Sequence, residues 1–196
     1  MNKKERIFDA AHEVLGEQGF HGLSIAVVAK KANVAAGTIY RYFGDKDDLI
    51  RQLYQHTILI CHSQIMEGVQ IEEVSYRQYR RLWLNITAIF ANDPNALKCK
   101  LQYESSPLGA ELEQDPAIMA IWAPLTSFFE RGRQQSLFID LPVRALQVLS
   151  LDCVANLALQ RQLHPFVLTQ EQLETVIQAS WNAILNPNFS TTGACS

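Results

Sequence analysis

Hydrophobic and polar residues follow one another along the chain with the period of an α-helix rather than that of a β-strand. Near the N-terminus the apolar positions have the spacing i, i+3, i+4, i+7 and i+8, which places them on one helix face: Ile7, Ala10, Ala11, Val14 and Leu15. The sequence has neither an Asn-Gly hairpin turn nor a sustained alternation of β-branched residues. The pattern therefore predicts an all-α protein.

Capping and turn-forming residues divide this pattern into about nine predicted helices. The first ends at Gly19, the second runs from Ser24 to about Ala32, the third spans 36–43, and Asp45 opens a long fourth helix that continues past Cys61. Five more are predicted at 74–91, 95–105, 117–135, 142–163 and 169–185, with a turn at 107–109. Thr169 and Gln172 have the spacing of a capping box at the start of the last helix.

Composition permits a large buried core but says little about function. Hydrophobic residues make up 48% of the 196 residues, charged residues make up 19%, and the formal net charge is −3. Residues 1–52 hold eight Lys and Arg against seven acidic residues, so they carry +1 and the remainder carries −4. This weak asymmetry does not by itself indicate a nucleic-acid partner.

The sequence shows no pattern typical of an enzyme, a metal site or a membrane protein. The four cysteines form no CxxC pair and have no ligand-like spacing to the five histidines. The most apolar stretch, 143–159, is interrupted by charged and amide side chains, and the N-terminus lacks the apolar segment of a signal peptide. We expect a cytoplasmic protein without catalytic activity, cofactor or metal. A small helical enzyme whose residues leave no local pattern is the alternative from another class.

Three short helices with a tight turn between the second and third are typical of a DNA-reading unit. In such a unit the third helix enters the major groove, and its N-terminal residues face the base edges. The hydroxyls of Thr38, Tyr40 and Tyr42 can bond to phosphates or base edges, and Lys46 can meet a phosphate. The predicted DNA-binding residues are Ser24, Ala35, Ala36, Gly37, Thr38, Tyr40, Arg41, Tyr42 and Lys46.

The stretch from Leu23 to Leu49 strongly resembles the TetR family of bacterial transcriptional regulators. The resemblance is carried by Ser24, by the apolar-x-x-apolar-Ala pattern at 25–29, by Gly-Thr-Ile-Tyr-x-Tyr-Phe at 37–43 and by Lys-x-x-Leu at 46–49. It implies an N-terminal three-helix helix-turn-helix head at 1–46, joined by a long fourth helix to a ligand-binding and dimerisation body at 47–196. The implied function is that of a homodimeric repressor, released from a palindromic operator in double-stranded DNA by a small-molecule effector.

Three alanines depart from the family pattern. The family often has Ser or Thr at Ala35, a basic or polar residue at Ala36 and a charged residue at Ala26. The first change removes an N-cap, at a cost of about 1 kcal/mol. We therefore expect the head to rely on backbone amides, on its two tyrosines and on dimerisation. A helical protein-interaction module with weakened DNA binding is the alternative that these alanines suggest.

Some head residues also have a purely structural interpretation. Tyr40 and Phe43 share a helix face, so both could pack in a core; we interpret Phe43 as core and Tyr40 as a DNA contact. Ser24 is interpreted first as a helix cap. Lys30 and Lys31 are interpreted as a solvated face.

The helix predicted at 142–163 is apolar around most of its circumference and therefore needs burial on two sides. In a body of this size one side of that helix must face a partner subunit. The final helix adds a second apolar stripe, so two helices from each of two chains would form a four-helix interface. The predicted interface residues are Leu146, Leu149, Cys153, Leu157, Val176, Ile177, Ser180, Trp181 and Ile184. The alternative is that both helices form only intramolecular core.

Aromatic residues concentrate in the middle helices of the body, and the resemblance implies that the body holds an effector cavity. Large aromatic side chains with a few polar groups suit an apolar or aromatic ligand. The predicted pocket residues are Tyr79, Trp83, Thr87, Phe90, Cys99, Tyr103, Trp122, Leu125 and Phe129. An ordinary aromatic core is the alternative, and a thiol sensor at Cys99 or Cys153 is a further one. Helix four joins head to body, and we expect it to change the spacing of the two heads when ligand binds.

Overall fold

Eleven α-helices form the secondary structure of residues 2–93 and 95–188, the part of the chain that the computed structural model describes. They are α1 (Lys3–Gly22), α2 (Ile25–Ala32), α3 (Ala36–Tyr40), α4 (Lys46–Ile65), α5 (Tyr76–Asn92), α6 (Ala96–Glu104), α7 (Pro107–Glu113), α8 (Pro116–Gln134), α9 (Val143–Ser150), α10 (Asp152–Leu163) and α11 (Gln170–Asn182). An isolated antiparallel bridge joins Phe138 and Leu185. The prediction of an all-α protein is confirmed, with eleven helices where the sequence predicts about nine.

The segment Pro107-Leu108-Gly109, predicted as a turn, is the first turn of α7. The side chain of Ser106 caps this helix by accepting a hydrogen bond from the backbone N–H of Gly109 at 2.9 Å. Proline suits the first turn of a helix because the N–H that it lacks has no partner there. The prediction was wrong because proline starts helices as readily as it forms turns.

The predicted helix at 142–163 is interrupted at Leu151 and forms α9 and α10. The N–H of Val154 bonds to the carbonyl of Leu151 at 3.0 Å, which frees the carbonyl of Ser150 from the helical ladder. That carbonyl lies 3.0 Å from the hydroxyl of Tyr79 and 2.9 Å from Sγ of Cys153. A buried carbonyl without a partner would be costly, so Tyr79 on α5 stabilises the interruption.

Side-chain caps fix several helix starts where the sequence predicts them. Ser24 accepts from the N–H of Val27 at 3.3 Å and caps α2. Thr169 and Gln172 form the predicted capping box of α11. Ala35 gives α3 no side-chain cap, as the loss of a hydroxyl there predicts.

The chain divides into two compact units, and the first comprises 1–63 and 89–121. Its core is built from the apolar stripe of α1 and from single residues of the following helices. Phe43 is 1% exposed, which confirms its interpretation as core, and its ring centroid lies 5.5 Å from that of Phe8. Further along, Tyr103 of α6 packs between Phe20 and Tyr54, with centroid distances of 5.3 and 4.5 Å.

The second unit comprises 64–88 and, among the described residues, 122–188. A continuous series of aromatic contacts fills its core. Trp181 lies with its ring centroid 5.0 Å from that of Tyr79 and 5.2 Å from that of Phe138, whose own centroid is 5.9 Å from that of Phe129. These rings connect α5, α8 and α11 through direct side-chain packing. Among the described residues, no helix is long and apolar enough to cross a membrane.

Gly109 offers a direct test of packing in the first unit. A Cβ at this position would lie 1.9 Å from the backbone oxygen of Tyr103, so Gly109→Ala should lower the free energy of unfolding by about 1–3 kcal/mol. Gly37 is the matched control, because a Cβ there has nothing within 4 Å and alanine favours a helix by up to about 1 kcal/mol. Urea unfolding followed by circular dichroism measures both changes. Equal effects of the two substitutions would contradict this packing.

Candidate functional site

The turn between α2 and α3 is fixed by a left-handed asparagine and by an arginine from α1. Asn33 has φ 52°, and its N–H bonds to the carbonyl of Lys30. Nη2 of Arg6 donates to the carbonyls of Ala32 at 2.6 Å and of Asn33 at 3.2 Å. A cation at the C-terminal carbonyls of α2 also interacts favourably with the helix dipole. Sequence reasoning missed Arg6 because its partners lie 26 and 27 residues away.

Two buried side chains determine which face of α3 is exposed. Ile39 is fully buried and Phe43 is nearly so, and the two are separated by four residues. The side chains between and beside them therefore point outward: Tyr40 is 58% exposed and Tyr42 is 39% exposed. Large aromatic side chains exposed to this degree, each with a hydroxyl, are available to a partner.

The remaining predicted DNA-binding residues are all at least partly exposed. Ala35, Ala36, Gly37 and Arg41 are exposed, and Thr38 is half-buried beside Ile39. Gly37 has open space around its Cα, so a large partner can approach the backbone there. Residues 35–38 and 40–42 thus form one solvent-accessible stretch of chain around the fully buried Ile39.

Lys46 is engaged inside the protein. Its Nζ donates to the carbonyl of Phe20 at 3.0 Å, which connects the start of α4 to the last turns of α1. The half-buried side chain retains two further N–H donors. A phosphate contact by Lys46 stays a prediction, and the structure gives the residue a separate role in holding α1 and α4 together.

Most other cations of residues 1–52 also have partners within the protein. Lys31, predicted to be solvated, pairs with Glu13 and Glu17 of α1 at 2.9 and 3.0 Å. Arg51 binds Glu111 of α7 through two hydrogen bonds, of 2.8 and 3.2 Å. Lys4 lies over the rings of Phe8 and Phe43.

The residues predicted to line an effector pocket do not all belong to one unit. Tyr79, Trp83, Leu125 and Phe129 are buried in the second unit, which also contains the half-buried Thr87 and Trp122. Phe90, Cys99 and Tyr103 belong to the first unit.

Tyr79, a predicted pocket residue, and Cys99 and Cys153, the two candidate thiol sensors, contribute to the packing of the chain itself. The hydroxyl of Tyr79 lies 2.8 Å from Oγ of Ser180, in addition to its contact with the carbonyl of Ser150, and its burial raises its pKa. Burial also raises the pKa of the Cys99 thiol to about 12 and that of the Cys153 thiol above its usual range. Protonated thiols are poor nucleophiles, which disfavours a sensor role for either cysteine.

The predicted pairing surface requires a correction. Five of its nine residues are buried within their own unit and cannot present a side chain to a partner: Leu146, Ile177, Ser180, Trp181 and Ile184. The other four, Leu149, Cys153, Leu157 and Val176, are accessible to solvent. Helical periodicity identified the apolar positions but not which side of each helix packs on its own chain. Val148, at 50% exposure, joins the accessible set.

Comparison with known families assigns both parts of the chain. Residues 7–53 match the family described as "Bacterial regulatory proteins, tetR family". Residues 75–185 match the family described as "Tetracyclin repressor-like, C-terminal domain". The second match covers more than half of the 196 residues.

Individual relatives agree with these matches. An HTH-type transcriptional regulator of Haemophilus influenzae is 33% identical over 180 residues, which cover 92% of this chain and 94% of the relative. A fatty acid metabolism regulator protein of Bacillus subtilis is 31% identical over 113 residues, 57% of each chain. Among solved structures, a TetR-family transcriptional regulator from Vibrio parahaemolyticus superposes with a TM-score of 0.81 at 30% identity, over 94% of this chain and 99% of the other.

Proposed function

This chain belongs to the TetR family of bacterial transcriptional regulators, and we propose from that premise that it is a cytoplasmic homodimeric repressor with no catalytic activity. In this proposal residues 1–46 bind a palindromic operator, residues 47–196 provide pairing and effector binding, and a small molecule releases the DNA. The observation that carries the proposal is α3 itself: Ile39 and Phe43 hold it on the core, so that Tyr40 and Tyr42 face outward.

In the proposed complex, neutral groups supply most of the base and phosphate contacts. Thr38, Tyr40 and Tyr42 offer hydroxyls, and the exposed backbone at Gly37 permits close approach to the duplex. Arg41 is an exposed cation on the same segment. Ser24, Ala35, Ala36 and Lys46 complete the proposed contact set, with Ala36 offering a methyl group to a thymine methyl.

Pairing of two chains is proposed to involve the accessible apolar residues of α9, α10 and α11. Leu149, Cys153 and Leu157 follow one another at four-residue intervals, with Val176 on the next helix. Val148 and Leu149 are about half exposed in a single chain, and apolar groups of this size on adjacent positions favour burial against a partner. A dimer also places two heads on the two half-sites of a palindrome.

The proposed effector is an apolar or aromatic small molecule. Trp83, Leu125 and Phe129 in the second unit supply apolar and aromatic surface, and Thr87 and Trp122 add polar groups that are half-buried. The name of the Bacillus subtilis relative, a fatty acid metabolism regulator, makes a long-chain fatty acid the first compound to test.

A gel shift with Tyr40 variants tests DNA binding. With fragments from upstream of the protein's own gene and its neighbours, Tyr40→Phe should weaken specific binding about 5–10-fold and Tyr40→Ala about 10–100-fold, because good base contacts contribute about 1–3 kcal/mol. Tyr76→Phe, in the second unit, is the matched control and should leave binding unchanged.

Gel shifts of the wild type at several salt concentrations measure how many Lys and Arg side chains contact phosphates. Of the eight cations in 1–52, Arg6, Lys31, Arg51 and Lys4 have the contacts described above, and Lys46 belongs to the proposed contact set, so four per head, or eight per dimer, are counted as available to phosphates. The slope of log affinity against log salt should then be no steeper than about −7. Normal binding by Tyr40→Ala would contradict the role of Tyr40 as a DNA contact, whereas no shift of any genomic fragment would favour a protein-interaction module.

A charge placed on the proposed pairing surface should separate the dimer without unfolding the chain. Leu149 is 47% exposed, so Leu149→Asp should give a species of 22.2 kDa in light scattering where the wild type gives twice that mass. Leu101→Asp, an exposed leucine of α6 in the other unit, is the control and should remain dimeric. A dimeric Leu149→Asp would place the interface elsewhere.

Thermal unfolding with and without a candidate ligand tests effector binding. A ligand that binds only the folded protein raises the free energy of unfolding, by about 2.7 kcal/mol when its concentration is one hundred times Kd, and therefore raises the unfolding midpoint. Sodium oleate should raise the midpoint and release bound DNA over the same concentration range, whereas glucose 6-phosphate should do neither. Tyr40→Ala should still show the midpoint shift, because its effector region is intact. Release by glucose 6-phosphate and not by oleate would contradict an apolar effector.

A further inference from the structure

The first helix of the head is bonded to the residue that follows α5. Nε2 of His12 on α1 lies 2.8 Å from Oδ2 of Asp93, and the His12 side chain is only 18% exposed. The other carboxylate oxygen of Asp93 accepts the backbone N–H of Asn95 at 2.8 Å. One carboxylate therefore holds both the DNA-binding head and the start of α6.

The His12–Asp93 pair lies within a close contact between α1 and α6. At Gly16, one turn after His12, a Cβ would lie only 2.7 Å from Cβ of Asn95, so the absence of a side chain at Gly16 permits the approach. Sγ of Cys99 lies 3.5 Å from the carbonyl of His12. At the far end of α6, the Tyr103 ring contacts Phe20 of α1. Thus α6 contacts α1 along most of its length.

Asp93 is also attached to α5. Its N–H donates to the carbonyl of Ile89 at 2.9 Å, so the backbone at Asp93 continues the last turn of α5. Asp93 therefore joins the end of α5 to α1 within the first unit.

The connection through α4 is made by other residues. Arg51 of α4 binds Glu111 of α7, and Lys46 at the start of α4 binds the carbonyl of Phe20. Neither contact involves His12 or Asp93. The two connections to the head can therefore be broken separately.

We propose that His12 and Asp93 are positioning residues for DNA recognition, which set the orientation of α1 through a contact that α4 does not share. The inference rests on the proposed function, since it assigns positioning residues within an operator-binding protein. The pair is proposed to act without touching DNA. It holds α1, and Phe8 of α1 packs against Phe43, the residue that follows Tyr40 and Tyr42.

A double-mutant cycle measures the coupling. His12→Ala and Asp93→Ala should each weaken binding to the operator fragment about 10-fold, and the double variant should bind within about 3-fold of Asp93→Ala alone. The loss of the Asn95 contact in Asp93→Ala occurs with or without His12, so it cancels from the cycle. All affinities are compared at a temperature where each variant is fully folded.

Two controls separate positioning from other roles. The salt dependence of binding should keep its wild-type slope in His12→Ala, because no phosphate contact is lost. Glu111→Ala, which breaks the α4 connection, should add its effect independently to that of His12→Ala. Unchanged affinity in His12→Ala with only a lower unfolding midpoint would overturn the proposal, as would additive losses in the cycle.

Amide hydrogen exchange supplies a measurement that needs no DNA. In the protein alone, the amides of α1 should exchange about 10-fold faster in His12→Ala and in Asp93→Ala than in the wild type, while those of α9 to α11 should not change. Unchanged protection of α1 would overturn the inference. A wild type that shifts no fragment would refute operator binding instead, and the exchange result would still decide whether the pair holds α1.

Discussion

The burial of Ile39 and Phe43 is the interaction on which the rest of the head depends. α3 has five residues, far fewer than an isolated helix needs in water, so its position comes from packing and not from helix propensity. The two anchors lie one helical turn apart and fix both the position and the rotation of the segment. The outward direction of Tyr40 and Tyr42 follows from that rotation, and hydrogen bonds at base edges tolerate little error in direction.

The cations of the head serve this geometry. Arg6 holds the turn before α3, Lys31 joins α2 to α1, and Lys46 joins α4 to α1. Each connects α1 to another part of the head, which makes α1 the common support of the DNA-binding surface. With its charges engaged in this way, and a balance of only +1 over residues 1–52, the head is suited to recognition by shape and neutral donors rather than by long-range attraction.

Signals that act within a few residues predicted the head and most helix starts. Ser24 and Thr169 cap their helices through contacts three residues ahead, and Phe43 is buried as its spacing indicates. What the sequence could not predict depends on distant partners. The interruption at Leu151 is stabilised by Tyr79, 71 residues from the carbonyl that it meets at Ser150. The pairing surface was assigned too broadly because an apolar helix does not reveal which of its sides packs on its own chain.

The close approach of α1 and α6 at Gly16 and Asn95 limits how this head can be combined with other bodies. A chimaeric regulator that joined residues 1–46 to a foreign C-terminal part would bring Gly16 and His12 without Asn95 and Asp93. A larger side chain at either contact position would separate the two helices, and a different residue at 93 would leave His12 without its acceptor. The support of this head therefore includes a segment that begins at Asp93, far from the head in sequence.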